Sequence, residues 1–139
     1  MPSWTRQPPR WGLMCLQLLL LNPSVDVKAQ TAAQVSVKDL LGDPSSYVGK
    51  QIAVVGLTKI EFEDVNVYPE TADVLDGRVC VSLLVRNDRF NDYKKRFSGK
   101  ISTVRGTFIS PVCPAGAICT WSCNDKYGIK VESISLLPK

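Results

Sequence analysis

A chain of 139 residues is long enough for one folded domain and too short for two. Apolar residues make up 45% of it and charged residues 22%, which is ordinary for a globular protein and excludes a charge-driven disordered chain. The formal charge is +4, the three basic and one acidic residue of 1–29 account for half of it, and the remaining +2 disfavours nucleic acid as a partner. Histidine is absent. That removes the commonest general base, the usual partner of a nucleophilic Ser or Cys, and the commonest metal ligand.

Residues 1–29 read as a signal peptide. Arg6 and Arg10 make a positive start, residues 12–21 form a mostly apolar run, and Asn22 and Pro23 break it. Val27-Lys28-Ala29 offers short residues for a cut before Gln30. The run is shorter than the roughly 20 residues that span a bilayer. The alternatives are an uncleaved anchor and a lipoprotein site at Cys15, the latter disfavoured by Met14 before the cysteine. The expectation is a periplasmic or secreted domain, residues 30–139, with no membrane span after cleavage. Recovery of the mature chain from the cytoplasm on fractionation would sink the export reading.

Residues 30–34 are a plain polar lead-in. Residues 36–42 predict a short helix: Ser36 caps it, Asp39 suits its start, Gly42 stops it, and Val37, Leu40 and Leu41 share one face. Asp43-Pro44 repeats that logic for a single turn that ends at Gly49.

The first long strand spans 51–60, with Ile52, Val54 and Ile60 on one face and Ala53, Val55 and Leu57 on the other. Gly56 in its middle marks a sharp curl or bulge. A charged hairpin tip at 61–64 leads to a second strand at 65–68, closed by Pro69. Residues 70–77 connect, with a helical turn at 71–75. The third strand spans 78–86, with Val79, Val81, Leu83 and Val85 inward. Residues 87–98 predict a helix capped by Asn87 or Asp88, with Phe90, Tyr93 and Phe97 as its stripe and Lys94, Lys95 and Arg96 in its last turn. A fourth strand follows at 100–109 and a fifth at 129–137, where a change of alternation requires a bulge near Ser133.

One pattern occurs twice. Tyr47-Val48-Gly49-Lys50 through Val54 to Gly56 and Phe97-Ser98-Gly99-Lys100 through Val104 to Gly106 both fit aromatic-x-Gly-Lys-x-x-x-Val-x-Gly. Each copy reads as a helix stop joined to a kinked strand. The element order is strand, strand, strand, helix, strand, strand. The fold expectation is therefore mainly β: a five-stranded OB-like Greek-key barrel with a helix between strands 3 and 4 and short N-terminal helical turns. A generic α+β sheet is the alternative.

Beyond Cys15 the chain has Cys80, Cys113, Cys119 and Cys123. An even count in an exported domain reads as disulfides, with three possible pairings. In an OB barrel strands 3 and 5 run side by side, which favours Cys80–Cys123 and leaves Cys113–Cys119. A zinc site from these thiolates lacks the Cys-x2-Cys spacing of structural zinc knuckles. No metal and no cofactor is expected.

Candidate ligand contacts follow from where OB-folds bind: across strands 2 and 3 and the loops after strands 1 and 4. They are Phe62, Tyr68, Arg78, Arg86, Trp121 and Tyr127. Trp121 reads either as a contact anchor or as part of a lid packed on the barrel. Glu61, Glu63, Asp64 and Glu70 do not match a calcium loop. No catalytic residue is assigned. A hydrolase using Glu61, Glu63 or Glu132 requires two of them to converge.

The run Asp43-Pro44-x-x-Tyr47-x-Gly49-Lys50-x-Ile52-x-Val54-x-Gly56, followed by Glu61-Phe62-Glu63 and Tyr68, resembles a group of small exported bacterial proteins of uncharacterised function with an OB-like fold. The resemblance implies an exported OB-like domain with no established activity, and the loop from Cys113 to Cys123 lies outside its pattern. The functional expectation is an exported binding or interaction module whose partner is a protein or small ligand. The alternative is an oligonucleotide- or oligosaccharide-binding OB domain.

Overall fold

Hydrophobic alternation in five strands is resolved by wrapping them into one closed cylinder. The computed structural model describes residues 32–72, 75–110, 113–123 and 127–138; the signal-peptide assignment lies outside them. β1 (Ala33–Ser36) leads into α1 (Val37–Gly42) and a single 3-10 turn (Pro44–Ser46). The barrel strands are β2 (Gln51–Glu61), β3 (Asp64–Tyr68), β4 (Val81–Arg86), β5 (Lys100–Ile109) and, after the two-residue β6 (Ala117–Ile118), β7 (Gly128–Leu136). β2 pairs β3, β3 pairs β4, β4 runs parallel to β7, β7 pairs β5, and β5 returns to β2. That is the strand order of an OB barrel. α2 (Phe90–Phe97) sits between β4 and β5 in the chain.

The interior is lined by Ile52, Val54 and Ile60, by Val65 and Val67, by Val81, Leu83 and Val85, and by Val104, Phe108 and Ile129. α2 closes one end with Tyr93 and Phe97, whose rings meet edge to face at 5.6 Å. α1 adds Val37 and Leu40, and Ser36 Oγ accepts from the Asp39 N–H at 3.0 Å as its cap.

The doubled pattern is built as hinge and contact. Gly49 and Gly99, the stops, hold φ of +81° and +77°, where a side chain is strained. Gly56 and Gly106 are close-approach positions. A Cβ on Gly56 would sit on the Tyr68 carbonyl oxygen and a Val67 methyl; on Gly106 it would sit on the Lys130 carbonyl oxygen. Both strands thus pass a neighbouring backbone with no room for a methyl group. The bulge lies at Glu132, since Arg105 faces Ser133 while Gly106 faces Val131.

Several elements differ from the sequence expectation. The lead-in is not plain: Ala33–Ser36 pairs parallel with Ile52–Val55, along the edge of β2 that β3 leaves uncovered. β4 begins at Val81, not Arg78, because Asp76 Oδ1 accepts from the Arg78 N–H at 2.9 Å and folds 76–79 into a turn. α2 begins at Phe90 with Arg89 in the cap position and no side-chain cap: the Asp88 carboxylate pairs with Arg86, and the Asn87 backbone N–H donates to the Gly116 carbonyl, ahead of the helix start. The Asp43 carboxylate accepts from the hydroxyls of Ser45 and Ser46 rather than from a backbone N–H. β6 was not expected from sequence. The helical turn expected at 71–75 falls partly outside the described residues.

Gly56→Ala and Gly106→Ala should each lower stability by about 1–3 kcal/mol, since backbone atoms must shift to admit the methyl group. Gly42→Ala, with open space around it and no positive φ, should stay within about 0.5 kcal/mol or gain slightly. Urea unfolding of the three variants checks both statements.

Candidate functional site

OB-folds commonly bind ligands on the outer face of the strands here labelled β3 and β4. On β3 that face carries Asp64, Asn66 and Tyr68, because Val65 and Val67 point inward. On β4 it carries Ser82 and Leu84, with Ser82 opposite Asn66. An open binding face would leave these side chains in solvent. Instead Asn66, Tyr68, Ser82 and Leu84 are all buried.

What buries them is the segment 113–123. β6 pairs antiparallel with Val85 and Arg86 at the far end of β4. At the other end Cys123 is bonded to Cys80, whose Cα lies 5.7 Å away. Between these two attachments the Trp121 ring lies against Gly128, close enough that a Cβ there would meet it at 3.2 Å and Leu84 at 3.3 Å. Asn66 Nδ2 donates to Ser122 Oγ at 2.6 Å and to Asp64 Oδ1 at 2.7 Å, and the Tyr68 hydroxyl donates to the same Asp64 oxygen at 2.8 Å. A second disulfide, Cys113–Cys119, closes a small ring within the segment. All four cysteines beyond Cys15 are therefore consumed in the pairing the strand topology favoured. The segment is a lid stapled over the face, and Trp121 is half-buried as part of it. Trp121 holds φ +47°, a left-handed backbone rare for a bulky side chain.

The lid leaves polar atoms without partners. Asn66 Oδ1, Ser82 Oγ and Thr120 Oγ1 are buried and accept or donate no hydrogen bond among the described residues. Such atoms cost free energy when left unpaired. Beside the lid an open cleft of about 390 Å³ is lined by Leu84, Arg86, Ala117, Lys130 and Glu132.

The expected ligand contacts are not gathered in one place. Phe62 stands at the β2–β3 hairpin tip and is 85% exposed, next to Glu63 with φ +68°. Tyr68 is buried beneath the lid. Arg78 is exposed and pairs with Asp76 at 3.3 Å; Arg86 is exposed and pairs with Asp88 at 2.7 Å. Tyr127 stacks on Phe108 with ring centres 5.5 Å apart and packs on the barrel core. Of the six, Tyr68 and Trp121 share the covered face, while Phe62 alone presents a large apolar surface to solvent. The polar network of Asp64, Asn66 and Ser122 was not singled out from sequence. Its signal was the polar alternation of Asp64, Asn66 and Tyr68 between two inward valines.

Of the three carboxylates proposed for acid–base work, Glu61 and Glu63 share the hairpin end of β2, and Glu132 stands apart from both. Glu132 accepts from Gln51 Nε2 at 2.8 Å, at the start of β2. Glu61 lies at the other end of that eleven-residue strand, a contour of roughly 33 Å along the curled chain at about 3.3 Å per residue. Glu61 is itself engaged: Ser98 Oγ donates to it at 3.0 Å and Lys94 lies 3.3 Å away, which together hold its carboxyl below the usual glutamate range. Glu61 and Glu132 thus do not converge. No protein-family model matches the chain, and no curated protein matches it.

Trp121 is the only tryptophan beyond residue 29, so it alone reports on the lid in protein prepared as residues 30–139. Replacing Cys80 and Cys123 with Ser should red-shift its emission, increase its quenching by acrylamide and lower stability by about 2–5 kcal/mol. The equivalent change at Cys113 and Cys119 should move the emission far less, because Trp121 lies outside that ring.

Burial, and secondly the neighbouring Asp64 carboxylate, push the Tyr68 hydroxyl above the ordinary tyrosine value of 10.0. Its contribution to stability is complete below the unfolded-state pKa and is lost as pH rises through the higher folded-state value. The alkaline fall in the unfolding midpoint should therefore begin near pH 10 and be shallower in Tyr68→Phe.

Proposed function

We propose that the protein is an exported OB-like interaction module that meets a partner through its hairpin tip and barrel end, not through the face that OB domains commonly use. One observation carries this reading. The lid tied by Cys80–Cys123 covers the outer face of β3 and β4, while the Phe62 ring at the end of the same β2–β3 hairpin is left in water. An isolated aromatic ring held at a tight turn is the kind of anchor that partners enclose. Two disulfides support a compartment outside the reducing cytoplasm, periplasmic or extracellular. No helix among the described residues is long and apolar enough to cross a membrane.

The oligonucleotide reading needs an accessible stacking platform with a basic groove. Tyr68 and Trp121, the aromatic residues nearest that face, are engaged with the lid and the strands beneath it. A carboxylate-dependent hydrolase needs paired acids in a pocket; Glu61 at the hairpin end is held by Lys94 and Ser98, and Glu132 on β7 lies beside the opposite end of β2.

A photo-crosslinking amino acid at Phe62, with one at exposed Arg105 as the control, tests the reading in cells that export the protein. A discrete adduct from position 62 alone is expected. Equal, diffuse labelling at both positions, or none at either, would overturn it. Titration of a labelled single-stranded oligonucleotide at low salt should be flat, and saturable binding would favour the nucleic-acid alternative.

A further inference from the structure

β7 is covered unequally on its two edges. Along one edge it pairs with β5 from Gly128 to Leu136. Along the other it pairs with β4 only from Gly128 to Lys130. From Val131 to Leu136 no strand among the described residues lies on that second edge. Every other residue of an antiparallel strand turns its N–H and C=O away from the neighbour it is paired with. The run therefore offers backbone groups that a further strand could use, and beyond the Glu132 bulge it is regular.

The surroundings of this edge select for charge. An open cleft of about 490 Å³ lies between β7 and the last turn of α2, lined by Lys95, Arg96, Phe97, Lys100, Ile134 and Leu136. Phe97 and Ile134 are nearly covered, and Leu136 is 50% exposed. Arg96 bonds Asp92 at 3.1 Å and lies over the Phe97 ring at 4.8 Å. Lys95 and Lys100 make no ion pair among the described residues. Glu61, at the hairpin end of β2, is held by Lys94 and Ser98. The cleft thus combines an open strand edge, an apolar floor and an excess of positive charge.

We infer that the β7 edge from Ser133 to Leu136 is a strand-addition site for an extended acidic peptide whose residues alternate between acidic and apolar. Its backbone extends the sheet beside β7. Its carboxylates meet Lys95, Lys100 and Arg96, and an apolar side chain seats beside Leu136. Another uncovered edge, that of β1, borders a cleft of about 530 Å³ lined by Gln34, Lys38, Val55, Pro69 and Glu70. That cleft has one cation against one anion and lacks the charge bias. Neither an oligonucleotide nor a lipid headgroup has the backbone ladder that the β7 edge would match.

The proposal rests on the reading of the protein as an interaction module, and it is tested separately from the Phe62 adduct. The probe is a fluorescein-labelled peptide of alternating Glu and Val, titrated into the oxidised protein at low salt and followed by anisotropy. Saturable binding is expected, with slowed amide exchange at 133–136. Lys95→Glu with Lys100→Glu should weaken binding about tenfold or more, and Lys38→Glu should leave it unchanged. A peptide with the same charges but N-methylated on alternate residues should not bind. Equal binding of the N-methylated peptide, or of an oligonucleotide of equal charge, would overturn strand addition, as would no binding at all. If the Glu–Val peptide fails while the Phe62 adduct persists, only the β7 inference falls. If both fail, the interaction reading falls with it.

Discussion

Two glycines set how tightly this cylinder can close. At Gly56 the chain of β2 presses on the Tyr68 carbonyl, and at Gly106 the chain of β5 presses on the Lys130 carbonyl. In each case one backbone occupies the space where a side chain would stand. A sheet of five strands must curl sharply to meet itself, and a position with no side chain lets a strand bend over its neighbour. Strand register, the inward set of Ile52, Val54, Val104 and Phe108, and the seat for α2 all follow from that closure. The glycine stops at Gly49 and Gly99 deliver the chain into these two strands at matching points.

The lid depends on the cylinder in turn. Parallel pairing of β4 with β7 sets Cys80, at the start of β4, near the chain that enters β7, so Cys123 can reach it. The covered face then becomes a second, mixed core of Tyr68, Cys80 and Cys123, with Leu57 beside it. It differs from the barrel interior in being partly polar, and three of its polar atoms have no partner. A buried polar network with missing partners is less rigidly specified than an apolar one. The barrel and the lid are therefore held by different means: close-packed aliphatic side chains in one, a covalent tie and a few hydrogen bonds in the other.

The barrel was legible because its signals are local and periodic. Alternation separated the faces of β2 and β4, and the glycine-lysine repeat marked where two strands begin. What failed to show in sequence depended on long-range partners. Ala33–Ser36 alternates over only two apolar residues, Ala33 and Val35, too short a run to stand out, and becomes a strand because β2 offers an uncovered edge. Ala117–Ile118 becomes one only because β4 lies beside it. Asn87 and Asp88 have cap chemistry, but the helix starts after both, with Asp88 paired to Arg86 and the Asn87 backbone tied to Gly116. The candidate site was legible as a list of residues and not as an arrangement. Tyr68 and Phe62 differ in fate because one hairpin side chain lies under a loop that is distant in sequence and the other projects past the end of the sheet.

The two disulfides act over different spans. Cys113 and Cys119 are six residues apart and constrain only a short ring within the lid. Cys80 and Cys123 are 43 residues apart, and their Cα atoms stand 5.7 Å apart in the native fold because β4 and β7 lie side by side and parallel. The short bond therefore stiffens a local turn, whereas the long one couples the lid to the barrel wall. Once formed, the long bond narrows the unfolded ensemble to chains in which lid and barrel are already tethered, so it stabilises the two together.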